Sequence, residues 1–347
     1  MKIDIDINLS SNQKYFVHID EFDVLNIDHK VAIITNETVS KLHLKTVCEK
    51  IKAKELHIVT IKDGEEYKNL ETIEYVLNEL FKYRIDRKST LIALGGGVVG
   101  DMTGFVASIY QRGVKFIQMP TTLLSQVDAR VGGKTGINNK FGKNLIGTFY
   151  QPSAVYCESE FLKTLPKREF NAGVAEIIKM AVMFDKEFFE WLKNADFNKK
   201  EDLKYAIKRC IEIKAQVVML DEKENGIRAV LNYGHTFGHV IECEAGYGTY
   251  LHGEAVSMGI VMANELAKKI GLLTKKEADE IEDLLKKYDL PTRYNLKNID
   301  KFYDAFFLDK KSSNWVITFI LPNGIGQSKM VSDAKEDIVK NILKVFG

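Results

Sequence analysis

Between residues 31 and 119 the hydrophobic period switches back and forth, and few architectures tolerate that. Short apolar runs at 31–35, 55–61, 90–94 and 116–119 read as strands, and helical stripes at 39–51, 69–83 and 102–110 lie between them. In the second stripe Leu70, Ile73, Val76, Leu77, Leu80 and Phe81 recur at three- and four-residue spacing, which lines one face of a helix and suits no strand. The run at 31–35 lacks polar alternation, as expected of a strand covered on both faces. Repeated strand–helix–strand alternation implies a mostly parallel sheet with helices on its faces. Residues 3–9 and 15–19 read as a further pair of strands ahead of it.

After residue 152 the texture changes. Helical patterns run at 169–195, 201–221, 229–245, 252–270 and 275–288, a short strand pair follows at 316–321 and 326–331, and a helix at 333–346 closes the chain. The expected domains are therefore 1–160, α/β, and 161–347, mainly helical. The 347 residues suffice for both.

Charge and cysteine usage narrow the function. Lys and Arg number 49 against 48 Asp and Glu, a net charge of +1, so no bulk basic field exists for sequence-independent binding to nucleic acid. Cys48, Cys157, Cys210 and Cys243 form no CxxC pair, which leaves a disulfide framework or a four-cysteine zinc ribbon without support. The opening MKIDIDINLS alternates apolar and polar residues and has no leader-like core. The least charged long stretch, 91–110, carries five glycines and Asp101, which argues against a spanning helix. A cytoplasmic protein with no membrane or nucleic-acid partner, handling something small, is expected.

The first chemical signal is the sequence Leu-Gly95-Gly96-Gly97-Val98-Val99-Gly100-Asp101. A buried strand ends in glycines and a helix starts. Glycines let a backbone approach a pyrophosphate, and a helix N-terminus offers free N–H groups. The spacing is not GxGxxG, so the loop fits either a dinucleotide cradle or a tight strand-to-helix turn. Asp63, Gly64, Glu65 and Lys68 follow the strand at 55–61, where an acid can accept from ribose hydroxyls or simply form a solvated turn. Together these give the first domain a Rossmann-like reading.

Residues 112–144 form a second signal. Arg112, Thr121, Thr122, Gln126, Asp128, Arg130, Lys134, Thr135, Asn138, Lys143 and Asn144 are interleaved with glycines and show no hydrophobic period. That suits a folded loop around an anionic ligand, with a solvated basic loop as the alternative. Gly-Lys-Thr at 133–135 is not a P-loop, since the preceding glycine spacing does not fit.

The third signal is histidine. His235 and His239 are four apart, which on a helix puts both rings on one face, and His252 opens another helical pattern. Glu176 is an acid in an apolar helical turn, where burial would demand a cation. One Glu and two His with an open position suit catalytic zinc, against capping or core histidines; Cys243 is a rival ligand or a small buried hydrophobe. The second domain is on this reading the metal-binding one.

The combination resembles the 3-dehydroquinate synthases of the dehydroquinate synthase-like superfamily over nearly the whole length. The motifs that carry it are GGGVVGD at 95–101, PTTLLSQVDARVGGKTGIN at 120–138, GKNLIGTFYQP at 142–152, AEIIK at 175–179, NYGHTFGHVIE at 232–242 and LHGEAV at 251–256. The resemblance implies NAD bound by Asp63, Gly64, Glu65, Glu66, Tyr67 and Lys68, by Gly97, Val98, Val99, Gly100 and Asp101, by Thr121, Thr122, Lys134 and Lys143, and by Phe161, Leu162, Lys163 and Thr164. It implies Zn2+, with Co2+ as a substitute, on Glu176, His235 and His252. Substrate or catalytic contacts carry over to Arg112, Asp128, Lys134, Asn144, Lys179, Lys214, Arg228, Asn232, His239 and Lys310. Two departures stand out. Arg130 occupies a position where the family commonly has a small residue, and Asn314 and Trp315 follow the segment of Lys310 where a glycine is usual.

The activity so implied is that of a phosphorus–oxygen lyase of the shikimate pathway. 3-Deoxy-D-arabino-heptulosonate 7-phosphate would become 3-dehydroquinate and phosphate by transient oxidation at C5, β-elimination, re-reduction, ring opening and aldol closure. NAD would be regenerated in each turnover, and a homodimer is implied. Rival readings on the same scaffold are a sister sugar-phosphate cyclase, a metal-dependent polyol dehydrogenase and a non-catalytic NAD/zinc-binding regulator. The cationic cluster suits a substrate with both phosphate and carboxylate better than a polyol.

Overall fold

The computed structural model describes residues 3–9, 11, 13–246, 248–308 and 316–347. Its strands are β1 (Ile3–Asn8), β2 (Lys14–Ile19), β3 (Leu25–Asn36), β4 (Ile51–Ile61), β5 (Thr90–Gly95), β6 (Lys115–Pro120), β7 (Lys134–Asn139), β8 (Gly142–Phe149), β9 (Ala154–Cys157), β10 (Phe319–Pro322) and β11 (Ser328–Val331). Seven form one sheet in the order β1-β2-β9-β6-β5-β3-β4. Among the described residues only the β1–β2 pairing in it is antiparallel, with Ile3 opposite Ile19.

Two-sided burial explains the apolar run in β3. Val31 and Ile33 pack with Ile92, Leu94, Ile117 and Met119 on one face. Ala32 and Ile34 point the other way, to Ile73, Val76 and Leu80 of the helix Leu70–Lys82 and to Met102 and Val106 of the helix Gly97–Ile109. Asn69 starts the first of these helices by accepting the Thr72 N–H.

The chain divides into two compact units. The first is 1–166 with 203–223, and the second is 167–202 with 224–347. A single cut after residue 160 therefore does not describe the packing: the greater part of the helix Lys200–Leu220 belongs with the sheet unit. Its stripe of Leu203, Ala206, Ile207, Cys210, Ile211 and Lys214 is buried. Sequence period reveals such a stripe but not which domain it covers.

The second unit is mainly helical: Lys167–Phe184, Lys186–Leu192, His235–Ala245, His252–Lys269, Lys275–Lys287, Ile299–Ala305 and Glu336–Leu343, with the hairpin β10–β11. The helical pattern at 169–195 is interrupted at Asp185, whose side chain accepts the Phe188 N–H and starts a new helix. The pattern at 229–245 becomes a helix only at His235; a 3-10 turn over Ile227–Asn232 precedes it, and Gly234 has φ +77°. Among the described residues, no helix is long and apolar enough to cross a membrane.

Candidate active site

In the sheet unit the strand β5 runs into Gly96 and the helix Gly97–Ile109. Gly100 N–H donating to the Gly96 carbonyl at 3.2 Å is the first bond of the helical ladder, so the N–H groups of Gly97, Val98 and Val99 have no partner within the helix. Thr121 N–H donates to the Gly95 carbonyl at 3.1 Å, and the Thr122 and Ser125 hydroxyls are bonded at 2.7 Å. The end of β6 is thus tied beside the glycines.

The turn after β4 is held by residues that sequence reasoning missed. Asn36 Nδ2 and Thr38 Oγ1 donate to the two oxygens of Asp63, at 2.6 and 2.7 Å. The available signal was an Asn at the end of a strand, which also caps the next turn by accepting from Val39 N–H. Gly64 adopts φ +131°, which a Cβ would strain. Glu65 Oε1 accepts from Asn138 Nδ2, the Glu66 carbonyl accepts from Asn69 Nδ2, and Tyr67 lies under the Lys62 ammonium.

Lys68 is buried and links three segments. Its ammonium donates to Asp101 Oδ2 at 2.7 Å and to Asn144 Oδ1 at 2.6 Å. The stretch 112–144 is consequently more ordered than a ligand loop. It holds β6 and, from Lys134, the hairpin β7–β8, whose glycines at 136 and 147 let the two backbones meet. Lys134 begins β7 and Lys143 and Asn144 lie on β8. Lys214 donates to Asp128 Oδ1 at 2.7 Å and also to its carbonyl.

Phe161, Leu162, Lys163 and Thr164 occupy the 3-10 segment Ser159–Thr164. Thr164 Oγ1 donates to the Phe161 carbonyl and bonds His43 Nε2 at 2.9 Å, while His43 packs on the Phe161 ring. Burial lowers the His43 pKa, which favours the neutral ring. Arg112 is not brought to this network. It follows the C-terminal end of the helix Gly97–Ile109, about 18 Å of helix rise from Gly97.

In the helical unit three helices each contribute one residue. Glu176 sits on Lys167–Phe184, His235 opens His235–Ala245 and His252 opens His252–Lys269. Small residues make this approach possible: a Cβ on Gly253 would lie 2.0 Å from the Ala172 carbonyl oxygen, and one on Gly259 would lie 2.1 Å from that of Gly234. Glu176 Oε1 is 3.7 Å from His235 Nε2 and 3.8 Å from His252 Nε2, and ligand atoms of the three residues all fall within 4.8 Å.

The remaining ring nitrogens are held from behind. His235 Nδ1 donates to the Tyr233 carbonyl at 3.0 Å, and His252 Nδ1 meets Glu242 Oε2 at 3.4 Å. Both arrangements turn Nε2 toward Glu176, an orientation that suits a metal-binding imidazole. Sequence reasoning misses Glu242, whose one signal is a carboxylate a helical turn past His239. Glu176 is fully buried, and neither of its oxygens accepts a hydrogen bond among the described residues, although the Lys179 ammonium pairs with it. A fully buried carboxylate with one oxygen paired to an ammonium and the other facing two imidazole nitrogens fits a divalent cation.

His239 packs edge-on to His235 at 5.6 Å between ring centroids and lies 6.2 Å from His252. Asn232 donates to Glu224 Oε1 at 3.1 Å, and Arg228 is buried in the 3-10 turn before it. Lys310 lies outside the described residues. Cys243 is exposed and in neither of the groups able to hold a metal, which are Glu176, His235 and His252, and His239, Glu242 and His252, among the described residues.

Known proteins of similar sequence and structure sharpen these observations. A family model described as 3-dehydroquinate synthase N-terminal matches residues 58–172, and one described as 3-dehydroquinate synthase C-terminal matches 173–312. A 3-dehydroquinate synthase of a Sulfurovum species is 63% identical over 346 residues, covering 100% of this chain and 99% of its own. That of Campylobacter fetus is 60% identical over 346 residues and covers 100% of both chains. Among solved structures, 2-epi-5-epi-valiolone synthase from Streptomyces hygroscopicus, with NAD+ and Zn2+ bound, superposes with TM-score 0.85 at 26% identity, over 94% of this chain and 96% of its own. A 2-deoxy-scyllo-inosose synthase gives 0.86 at 24% over 99% and 100%, a likeness of fold. With both family models in sequence order and identity sustained from end to end, the chain belongs to the 3-dehydroquinate synthase family.

Proposed function

We propose that this chain is a phosphorus–oxygen lyase that converts 3-deoxy-D-arabino-heptulosonate 7-phosphate to 3-dehydroquinate and inorganic phosphate. The observation that carries the reading is the fully buried carboxylate of Glu176 facing Nε2 of His235 and His252, in a chain 63% identical to a 3-dehydroquinate synthase. Sister cyclases are far more distant, at 26% and 24%.

Glu176, His235 and His252 would hold the divalent ion, Zn2+ or Co2+, which when bound polarises the oxygen of the carbinol to be oxidised. Gly97–Asp101 and the Asp63–Lys68 turn would hold NAD, which would supply a reversible hydride acceptor.

The chain's own residues do the rest. The helix N-terminus at Gly97 offers N–H groups and a positive dipole end to a pyrophosphate. Asp63, fixed by Asn36 and Thr38, is set to accept from ribose hydroxyls. Lys134, Lys143 and Asn144 hold anionic groups by charge-assisted or amide hydrogen bonds. Asp128 steadies Lys214 and orients a sugar hydroxyl. Lys179 and Arg228, both buried, present cations to carboxylate or phosphate. His239, beside the two ligand histidines, moves protons, as does the departing phosphate. A flexible sugar with several attachment points gains much of its rate from positioning. The proposed setting is a cytoplasmic homodimer.

The test is substrate choice. Purified protein is offered the heptulosonate phosphate, glucose 6-phosphate and a polyol in parallel. The reading expects 3-dehydroquinate from the first at a rate at least about a hundredfold above the others, and a Lys134→Ala loss of similar size. Carbocycle formation from glucose 6-phosphate instead, or NADH accumulation on the polyol, sinks it.

A further inference from the structure

We infer that Arg130 is a positioning residue for the nucleotide loop, an inference that rests on the proposal that Gly97–Asp101 receives NAD. The side chain is 1% exposed and lies beneath the first turn of the helix Gly97–Ile109. Nη1 donates to Gln118 Oε1 on β6 at 3.0 Å. Nη2 donates to the Gly97 carbonyl at 2.9 Å and lies 3.4 Å from Asp101 Oδ1. The contact is close enough that a Cβ on Gly100 would fall 1.8 Å from Nη1.

A buried charge is a poor way to gain stability, because desolvation offsets most of the Coulomb gain. A planar fork between two fixed acceptors is a good way to hold backbone in one geometry. Here the fork ties the Gly97 carbonyl to Gln118 of β6, at the residue whose own N–H opens the helix. It also addresses a charge problem. Asp101 lies one turn into a helix proposed to receive a pyrophosphate, and a lone carboxylate there would repel the ligand. Lys68 from one side and Arg130 from the other flank it, at 2.7 and 3.4 Å. Arg130 touches no ligand itself; it acts through the loop.

The experiment uses Arg130→Lys and Arg130→Ser in the full chain. NAD affinity is measured by calorimetry, bound metal by elemental analysis, and amide exchange over 97–101 by mass spectrometry. Loss of hydrogen bonds from a charged donor predicts NAD affinity weakened by about tenfold or more in both variants. Arg130→Lys should fail despite keeping the charge, because an ammonium cannot span Gln118 and Gly97 together. KM for NAD should rise more than kcat at saturating NAD falls, exchange at 97–101 should quicken, and metal content should stay at the wild-type level. A merely structural role would lower the melting temperature without moving the NAD terms. Should both variants fail to fold, Gln118→Met removes one anchor from the sheet side and must raise the NAD Kd in the same direction. A folded variant with NAD affinity within about twofold of wild type overturns the inference. Wild-type protein that binds no NAD overturns the functional reading beneath it, a different and separable result.

Discussion

Replacing Gly253 by Ala tests whether helix contact sets the metal geometry. The new Cβ would stand 2.0 Å from the Ala172 carbonyl oxygen, 2.5 Å from its carbon and 2.7 Å from its Cα, all backbone. No side chain can rotate away, so relief requires the two helices to part by about 1.4 Å to regain ordinary contact at 3.4 Å. Ala172 lies one helical turn before Glu176, and Gly253 is next to His252, so the displacement is passed to two of the three proposed ligands. Zinc bonds of about 2.0–2.1 Å place ligand atoms about 3.3 Å apart in a tetrahedral site. The distances of 3.7 and 3.8 Å are within easy reach of that, whereas a further 1.4 Å is not. Overpacking should cost about 1–3 kcal/mol, which a chain of this size survives. Metal affinity should fall by about a hundredfold or more, since one ligand is effectively withdrawn. A chelator-competition titration, with circular dichroism to verify folding, reads the result. A folded Gly253→Ala protein with wild-type zinc affinity would refute the argument.

Three further outcomes follow from the same geometry. Lys68→Met removes the buried link between Asp101 and Asn144 and should weaken NAD binding by about tenfold or more while leaving metal content intact; equal NAD affinity would contradict the link. His252→Ala should abolish stoichiometric metal, and one full equivalent in that variant would show the ligand set to be wrong. Metal affinity should also fall with pH. Burial pushes the His252 pKa down, but the Glu242 hydrogen bond and the charges of Glu242 and Glu176 outweigh it, so the proton is held above the usual histidine range. That proton must leave for metal to bind, so affinity should decline as pH falls through and below this raised pKa, and Glu242→Gln should move the decline to lower pH. A flat profile between about pH 5.5 and 8 would count against it.

How much the sequence disclosed depends on how local each signal is. The strand into Gly95–Gly97 and the helix beyond were legible because one short segment carries period, glycines and helix start together. Glu176, His235 and His252 were legible as residue types, but their convergence depends on Gly253 and Gly259, whose function is to be small where another backbone passes. The strand β9 was missed because four residues behind Pro152 show no period, although β9 lies between β2 and β6 in the sheet. The hairpin β7–β8 was hidden by its glycines, lysines and asparagines, which read as loop. Arg130 was visible as a departure but its direction was not, since burial under a helix turn leaves no mark on neighbouring residues. The assignment of 203–223 to the sheet unit is likewise a tertiary choice that an amphipathic stripe does not encode.

Transient oxidation with phosphate as the net product is what separates this chemistry from that of a dehydrogenase. The most direct measurement follows phosphate and NADH together, with heptulosonate phosphate in large excess over a trace of NAD+, on protein carrying its metal. Many phosphates should be released per NAD+ with no net rise in NADH, and that turnover should be lost in chelator-stripped protein until zinc or cobalt is restored. Phosphate release capped at one equivalent of NAD+ with matching NADH, or full turnover in verified metal-free protein, would contradict it.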